Sequence, residues 1–243
     1  MPAVRKGGKH RREICFYEYM FPGFPAEGLA FLKSLKRNNR REWFQPRKEI
    51  FETQLKAPMA ELVEQINAAL LEFAPDHITD PAKAIYRIYR DTRFSSDKTP
   101  YKTHIAAVFP RRGLDRHTSA GYYFHVSTES VGIAAGAYMP GPEQLKAVRA
   151  WLAENHQAFR AAARKPEKVW GKLHGSALTR NPKGFDPDHP ASDLIRMKQW
   201  MYWVELDREI AATPKLLVEL LKRFRAAAPV IAMLNAPVRR TPL

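Results

Sequence analysis

The periodicity of this chain changes once, between Pro75 and Pro81, and that change constrains the fold more than any other feature. Upstream of it, apolar residues recur at helical spacing. Phe24-Pro25 leads into Leu29, Phe31, Leu32 and Leu35, and Asn38-Asn39 closes this helix, because asparagine disfavours helix interiors and tolerates left-handed geometry. Pro46 is expected to open a second helix through about Leu55. Pro58 opens a third, in which Met59, Leu62, Val63, Ile66, Leu70 and Phe73 line one face. Downstream, β-branched and aromatic residues take over and give five strand candidates, at 84–94, 105–109, 122–126, 131–138 and 200–206.

Only the short polar stretch Ser127-Thr128-Glu129-Ser130 separates the third and fourth candidates, which predicts an antiparallel hairpin. Pro142 then begins a long helix with Leu145, Val148, Leu152 and Phe159 on one side. Thr213-Pro214 reads as an N-cap followed by a first-turn proline, opening a last helix that Pro229 should kink or restart. Helices and strands are therefore segregated, without the strict alternation of a doubly wound sheet. The expected class is α+β: a helical N-terminal third, a largely antiparallel sheet with a central hairpin, and covering helices. A chain of 243 residues can bury one sizeable core, so 21–243 is read as one domain and 1–20 as a disordered basic extension.

Charge and cysteine content narrow the functional classes. Lys and Arg number 40 against 25 Asp and Glu, a net charge of +15 that favours polyanionic partners. The lone Cys15 excludes an intramolecular disulfide and a cysteine zinc cluster, and fits a reducing, cytoplasmic setting. No stretch of eighteen residues is continuously apolar, so no membrane span is expected. Glu18 and Pro22 interrupt the apolar run after the basic start, and no cleavage site follows, so the N-terminus reads poorly as a signal peptide.

Between Lys83 and Arg116 stand nine Lys or Arg and three Asp. Arg87, Arg90, Arg93, Lys98 and Lys102 supply forks and point charges suited to phosphate or carboxylate, and Tyr101 a ring suited to stacking. In a regular strand Arg87, Asp91 and Arg93 face one way and Arg90 the other, so their convergence requires a bulge or a strand end near Asp91. An Arg-Asp network tying helices to sheet explains the same residues. His125 shares a strand face with Tyr123 and has the reference pKa of a general base. Gly132, Ala134 and Gly136 leave little bulk on the adjoining strand, for close packing or for a ligand across the sheet, and Tyr138 leads to a helix N-terminus that can hold an anion. Near Lys183, Asp186, Asp188 and His189 have hard-metal ligand types without a recognised spacing, so no metal site is assigned. Neither a cofactor nor an oligomeric state follows from these residues.

Several of these segments resemble one family. Asn38-Asn39-Arg40-Arg41-Glu42-Trp43-Phe44, Tyr89-Arg90-Asp91-Thr92-Arg93-Phe94-Ser95, Lys98-Thr99-Pro100-Tyr101-Lys102 and Gly136-Ala137-Tyr138-Met139-Pro140 are similar to the bacterial and fungal family catalogued as domain of unknown function 2461. The resemblance covers residues 21–238 and implies a soluble bacterial protein; it carries no mechanism. One departure is that Ala134-Ala135 precede Gly136, where the family pattern crowds glycines. Because members begin close to the element seen here as Phe21-Pro22-Gly23-Phe24-Pro25, Met20 is a candidate initiator, with residues 1–19 as an upstream translated stretch.

Three readings of function follow. The first is recognition of a phosphate-bearing or other anionic ligand, nucleotide or nucleic acid, by the Arg/Lys/Tyr cluster. The second is an enzyme on a small anionic substrate with Asp91 or His125 as general base. The third is a scaffold whose Arg-Asp network is purely structural.

Overall fold

The structure, a computed structural model, describes residues 20–114, 116 and 119–238. The proposed basic extension, Met20 apart, lies outside the described residues. Helix α1 (Ala26–Arg37) buries Phe31, Leu32 and Leu35 and ends where expected, the Asn38 N–H returning to the carbonyls of Ser34 and Leu35. Helices α2 (Arg41–Phe44), α3 (Lys48–Phe51) and α4 (Ala57–Phe73) then follow one another through a 3-10 turn, Gln45–Arg47, and a π turn, Glu52–Lys56. Pro58 stands in the first turn of α4, as expected, but the π turn joins α4 to α3 without a break, whereas Arg47 (φ −111°, ψ 8°) separates α3 from the 3-10 turn that holds Pro46. The π turn explains how: Pro58 lacks an N–H and its ring crowds the carbonyl four residues back, and the π turn ahead of it widens the helix at that point.

After a 3-10 turn (Pro75–His77) and the short helix α5 (Pro81–Ala84), four strands form one antiparallel sheet in sequence order: β1 (His104–Phe109), β2 (Gly121–Ser127), β3 (Ser130–Ala137) and β4 (Trp200–Asp207). The predicted hairpin is β2–β3, its turn closed by Ser127 Oγ, which accepts from the Glu129 and Ser130 N–H groups at 3.1 and 3.0 Å. The fifth expected strand, 84–94, does not form. That segment is an arm beside β1 with two isolated bridges, Ile85 to Ala107 and Tyr89 to Tyr101. Its ladder runs from Tyr86 N–H to the Ala106 carbonyl (2.9 Å) and from Lys102 N–H to the Ile88 carbonyl (2.8 Å). Arg90 N–H still reaches the Pro100 carbonyl (2.9 Å), but Pro100 has no donor to return, and 91–98 loops away.

Helices cover one face of the sheet. The helix α6 (Pro142–Trp170) starts at Pro142 as expected and breaks at Asn155 (φ −116°). It leans on α8 (Lys215–Asn235), which lies across β2 and β3, with the short α7 (Ser192–Ile195) at its side. Phe224 of α8 sits between Phe109 and Tyr122, at 5.9 and 4.8 Å between ring centroids. Two details differ from expectation. Thr213 does not cap α8; its hydroxyl donates to the Ile210 carbonyl at 2.9 Å, closing the preceding 3-10 turn instead. Pro229 does not restart α8, which runs unbroken from Lys215 to Asn235, because Ala226, Ala227, Val230 and Ile231 stay buried through it and their packing holds the helix across the missing bond. Segregated helices and an antiparallel sheet around one continuous core make the fold α+β.

Candidate functional site

Alternation along the strands sends Tyr122, Phe124 and Val126 into the core and Tyr123 and His125 to the opposite face. Register then places Val108, Tyr123, Ala134 and Trp203 side by side in one row across the four strands, and Ala106, His125, Gly132 and Glu205 in the next. The small residues of β3 lie in the middle, so the sheet is hollowed between Tyr123 and His125 on one side and Trp203 on the other. Gly132 is required there: a Cβ would fall 2.3 Å from Cε1 of His125 and 2.9 Å from Cη2 of Trp203. The hollow is a cleft of about 490 Å³, a size that suits a small molecule.

The arm and the connection between β1 and β2 build the charged wall of this cleft. The Arg116 guanidinium lies 4.1 Å over the ring of Tyr86 and the Lys102 ammonium 4.9 Å from it, on the cation-binding faces of that ring. Nη2 of Arg116 donates to the Ala84 carbonyl at 2.8 Å, whereas its buried Nε meets no acceptor. Burial lowers the pKa of Lys102, and Arg87 and Arg116 lower it further. Lys102 and Arg116 are the cations among the described lining residues, and no carboxylate is among them.

Two histidines stand beside this wall. His104 and His125 are 5.3 Å apart between ring centroids, and the Tyr123 hydroxyl is 3.3 Å from Nδ1 of His125. Burial, with the neighbouring His125 and Lys102, holds His104 at about 4; burial also lowers His125, against a smaller opposing pull from Glu205. Both rings are therefore neutral at pH 7. A site with two cations, neutral imidazoles, tyrosines and a tryptophan can hold a negative charge at one end and a flat ring at the other.

A family model described as conserved hypothetical protein (DUF2461) matches residues 27–233. The chain belongs to that family. No curated protein and no solved structure matches it. In this DUF2461 chain the residues singled out in the sequence do not all meet. Lys102, His125 and Tyr138 line the cleft. Arg93 lies outside it, exposed and forked onto Asp91 at 3.0 and 2.7 Å, and that pair holds the Asp91 carboxyl at about 2. Arg90 is bound to Asp97 and Thr99, and Nζ of Lys98 donates to the Thr92 carbonyl at 2.9 Å. Arg87 is exposed and outside the lining. Tyr101 is buried, its ring stacked on Phe44 at 4.1 Å between centroids.

Lys183 is also exposed and off the cleft, in a loop whose polar residues make turns: Asp186 accepts from Asp188 N–H at 2.9 Å and His189 Nδ1 from Ala191 N–H at 3.1 Å. Among the described residues no group of three or more His, Cys, Asp or Glu could hold a metal ion, and no helix is long and apolar enough to cross a membrane. Sequence reasoning missed Tyr86, His104, Arg116 and Trp203. Alternation from Ile105 and from Tyr202 would have placed His104 and Trp203 on the open face. Arg116 belongs to an irregular connection, where no period exists to read.

Proposed function

We propose that this protein binds a small molecule made of a flat ring system and an anionic group, with Lys102 and Arg116 taking the charge and Trp203, Tyr123 and Tyr138 the ring. The observation that carries this reading is the cleft's charge balance: two cations, one short of counter-charge through burial, and no carboxylate among the described lining residues. A phosphate or carboxylate restores that balance with charge-assisted hydrogen bonds, each worth about 1.5 to 3 kcal/mol. The aromatic floor favours a planar body over a bare anion.

Calorimetric titration with adenosine monophosphate, adenosine, benzoate and inorganic phosphate tests the reading. Adenosine monophosphate should bind more tightly than adenosine or phosphate alone. Lys102→Met should weaken the two ring-bearing anions about tenfold or more and leave neutral adenosine unchanged, since only the charged contact is lost. No binding by any of the four, or equal affinity in the variant, overturns it. A catalytic reading has one observation behind it, the neutral His104–His125 pair within the same cleft. Chromatography of the titration mixtures after long incubation separates the two readings, because ligand recovered unchanged removes turnover.

A further inference from the structure

The arm and the first helices form a second surface, distinct from the cleft. Nδ2 of Asn39 donates to the Tyr101 carbonyl at 2.8 Å and Oδ1 of Asn39 accepts from the Tyr101 N–H at 3.0 Å. With the Phe44–Tyr101 stack and the Phe44–Tyr89 contact, these bonds hold the segment 37–49 against the base of the arm, from which 87–98 continues. Together the two segments hold nine Lys or Arg and four Asp or Glu, an excess of five. Seven of the nine are arginine, whose planar fork matches phosphate oxygens. Arg90 and Arg93 are engaged with Asp97 and Asp91, whereas Arg37, Arg40, Arg41 and Arg87 are exposed and make no ion pair among the described residues.

Aromatic faces lie among these charges. Tyr89, 44% exposed, leans on Tyr101 and Phe44, with ring centroids 5.4 and 6.4 Å away. Phe94, at the loop of the arm, is 95% exposed, with the Arg93 guanidinium 5.7 Å from its ring. A large apolar ring held out in water, on a segment rich in arginine, has the form of a stacking platform along a phosphate track.

We infer that this ledge binds single-stranded nucleic acid, the arginines following the backbone and Tyr89 and Phe94 stacking on bases. A duplex keeps its bases stacked on one another and offers those rings nothing. An anionic membrane also offers phosphates to the arginines, but no bases for Tyr89 and Phe94 to stack on.

The test is fluorescence anisotropy with a labelled oligothymidylate about twenty nucleotides long, long enough to cover such a site. With about five phosphates engaged, affinity should fall about a hundredfold between about 50 and about 200 mM salt. Phe94→Ala, which removes an exposed ring and leaves the core intact, should weaken binding about tenfold. An Arg40→Gln/Arg41→Gln double variant should bind more weakly and with a shallower salt dependence, while keeping wild-type affinity for adenosine monophosphate. The proposal is overturned by absence of binding at low salt, by equal affinity of the Phe94→Ala protein, or by binding confined to phosphatidylserine vesicles. None of these outcomes bears on the cleft.

Discussion

Gly136→Ala should lower the stability of this protein by about 3 kcal/mol or more, because it combines backbone strain with a clash that cannot relax locally. Gly136 has φ +143°, a region that L side chains rarely adopt, and an added Cβ would lie 2.0 Å from the Trp200 carbonyl oxygen. That oxygen belongs to β4, which pairs with Gly136 through Met201. The strand has to withdraw, and Met201 and Trp203 withdraw with it from the floor of the cleft. For a chain of this size each kcal/mol moves the melting temperature by about 2 to 4 °C, so a fall of about 6 °C or more is expected in a thermal melt. A variant melting within about 1 °C of wild type, far short of that fall, would show that the β3–β4 approach is looser than described.

Tyr101→Ala should cost about 3 to 5 kcal/mol, as removal of a fully buried aromatic ring does, while Tyr101→Phe should cost about 1 kcal/mol or less. The ring is 2% exposed and stacked on Phe44, which also contacts Phe31 and Phe51, so truncation opens a void where the arm meets the helical layer. The pair of variants separates a structural tyrosine from one that meets ligand. Denaturant unfolding should show a large midpoint shift for alanine and a small one for phenylalanine. A Tyr101→Ala protein as stable as wild type but deficient in binding would contradict the structural assignment.

The architecture was largely legible because its signals are periodic. The apolar spacing from Leu29 to Leu35 and from Met59 to Leu70 gave the helical third, and the polar Ser127–Ser130 turn gave the hairpin. What misled was proline. Pro46 looks like a helix start in a sequence, yet it lies in a 3-10 turn and α3 opens after it at Lys48; Pro58 does stand in the first turn of α4, yet a π turn runs α3 into that helix; Pro229 looks like a break, yet tertiary burial holds α8 through it. At Pro229 the local cost of proline is real and the surrounding packing exceeds it.

The site was legible in part, for a related reason. His125 and the bare stretch of β3 could be placed on one sheet face by counting in twos, and Lys102 by its nearness to that strand edge. The arginines could not be sorted from sequence, because Arg90 and Arg93 find Asp97 and Asp91 only seven and two residues away, through a loop whose course no period predicts. Charge density marked the right segment. Which cations are already satisfied, and which are left for a ligand, is a property of the folded loop.

The most direct test of the cleft assignment is proton NMR of the imidazole resonances, titrated with pH in the free protein and in the protein saturated with adenosine monophosphate. In the free protein His104 should titrate at about 4, and His125 below the ordinary histidine value. A bound anion stabilises the protonated ring, so both values should rise on saturation, and by linkage affinity should increase as the pH falls through that interval. Saturating binding that leaves both histidines where they were would place the ligand elsewhere and contradict the account.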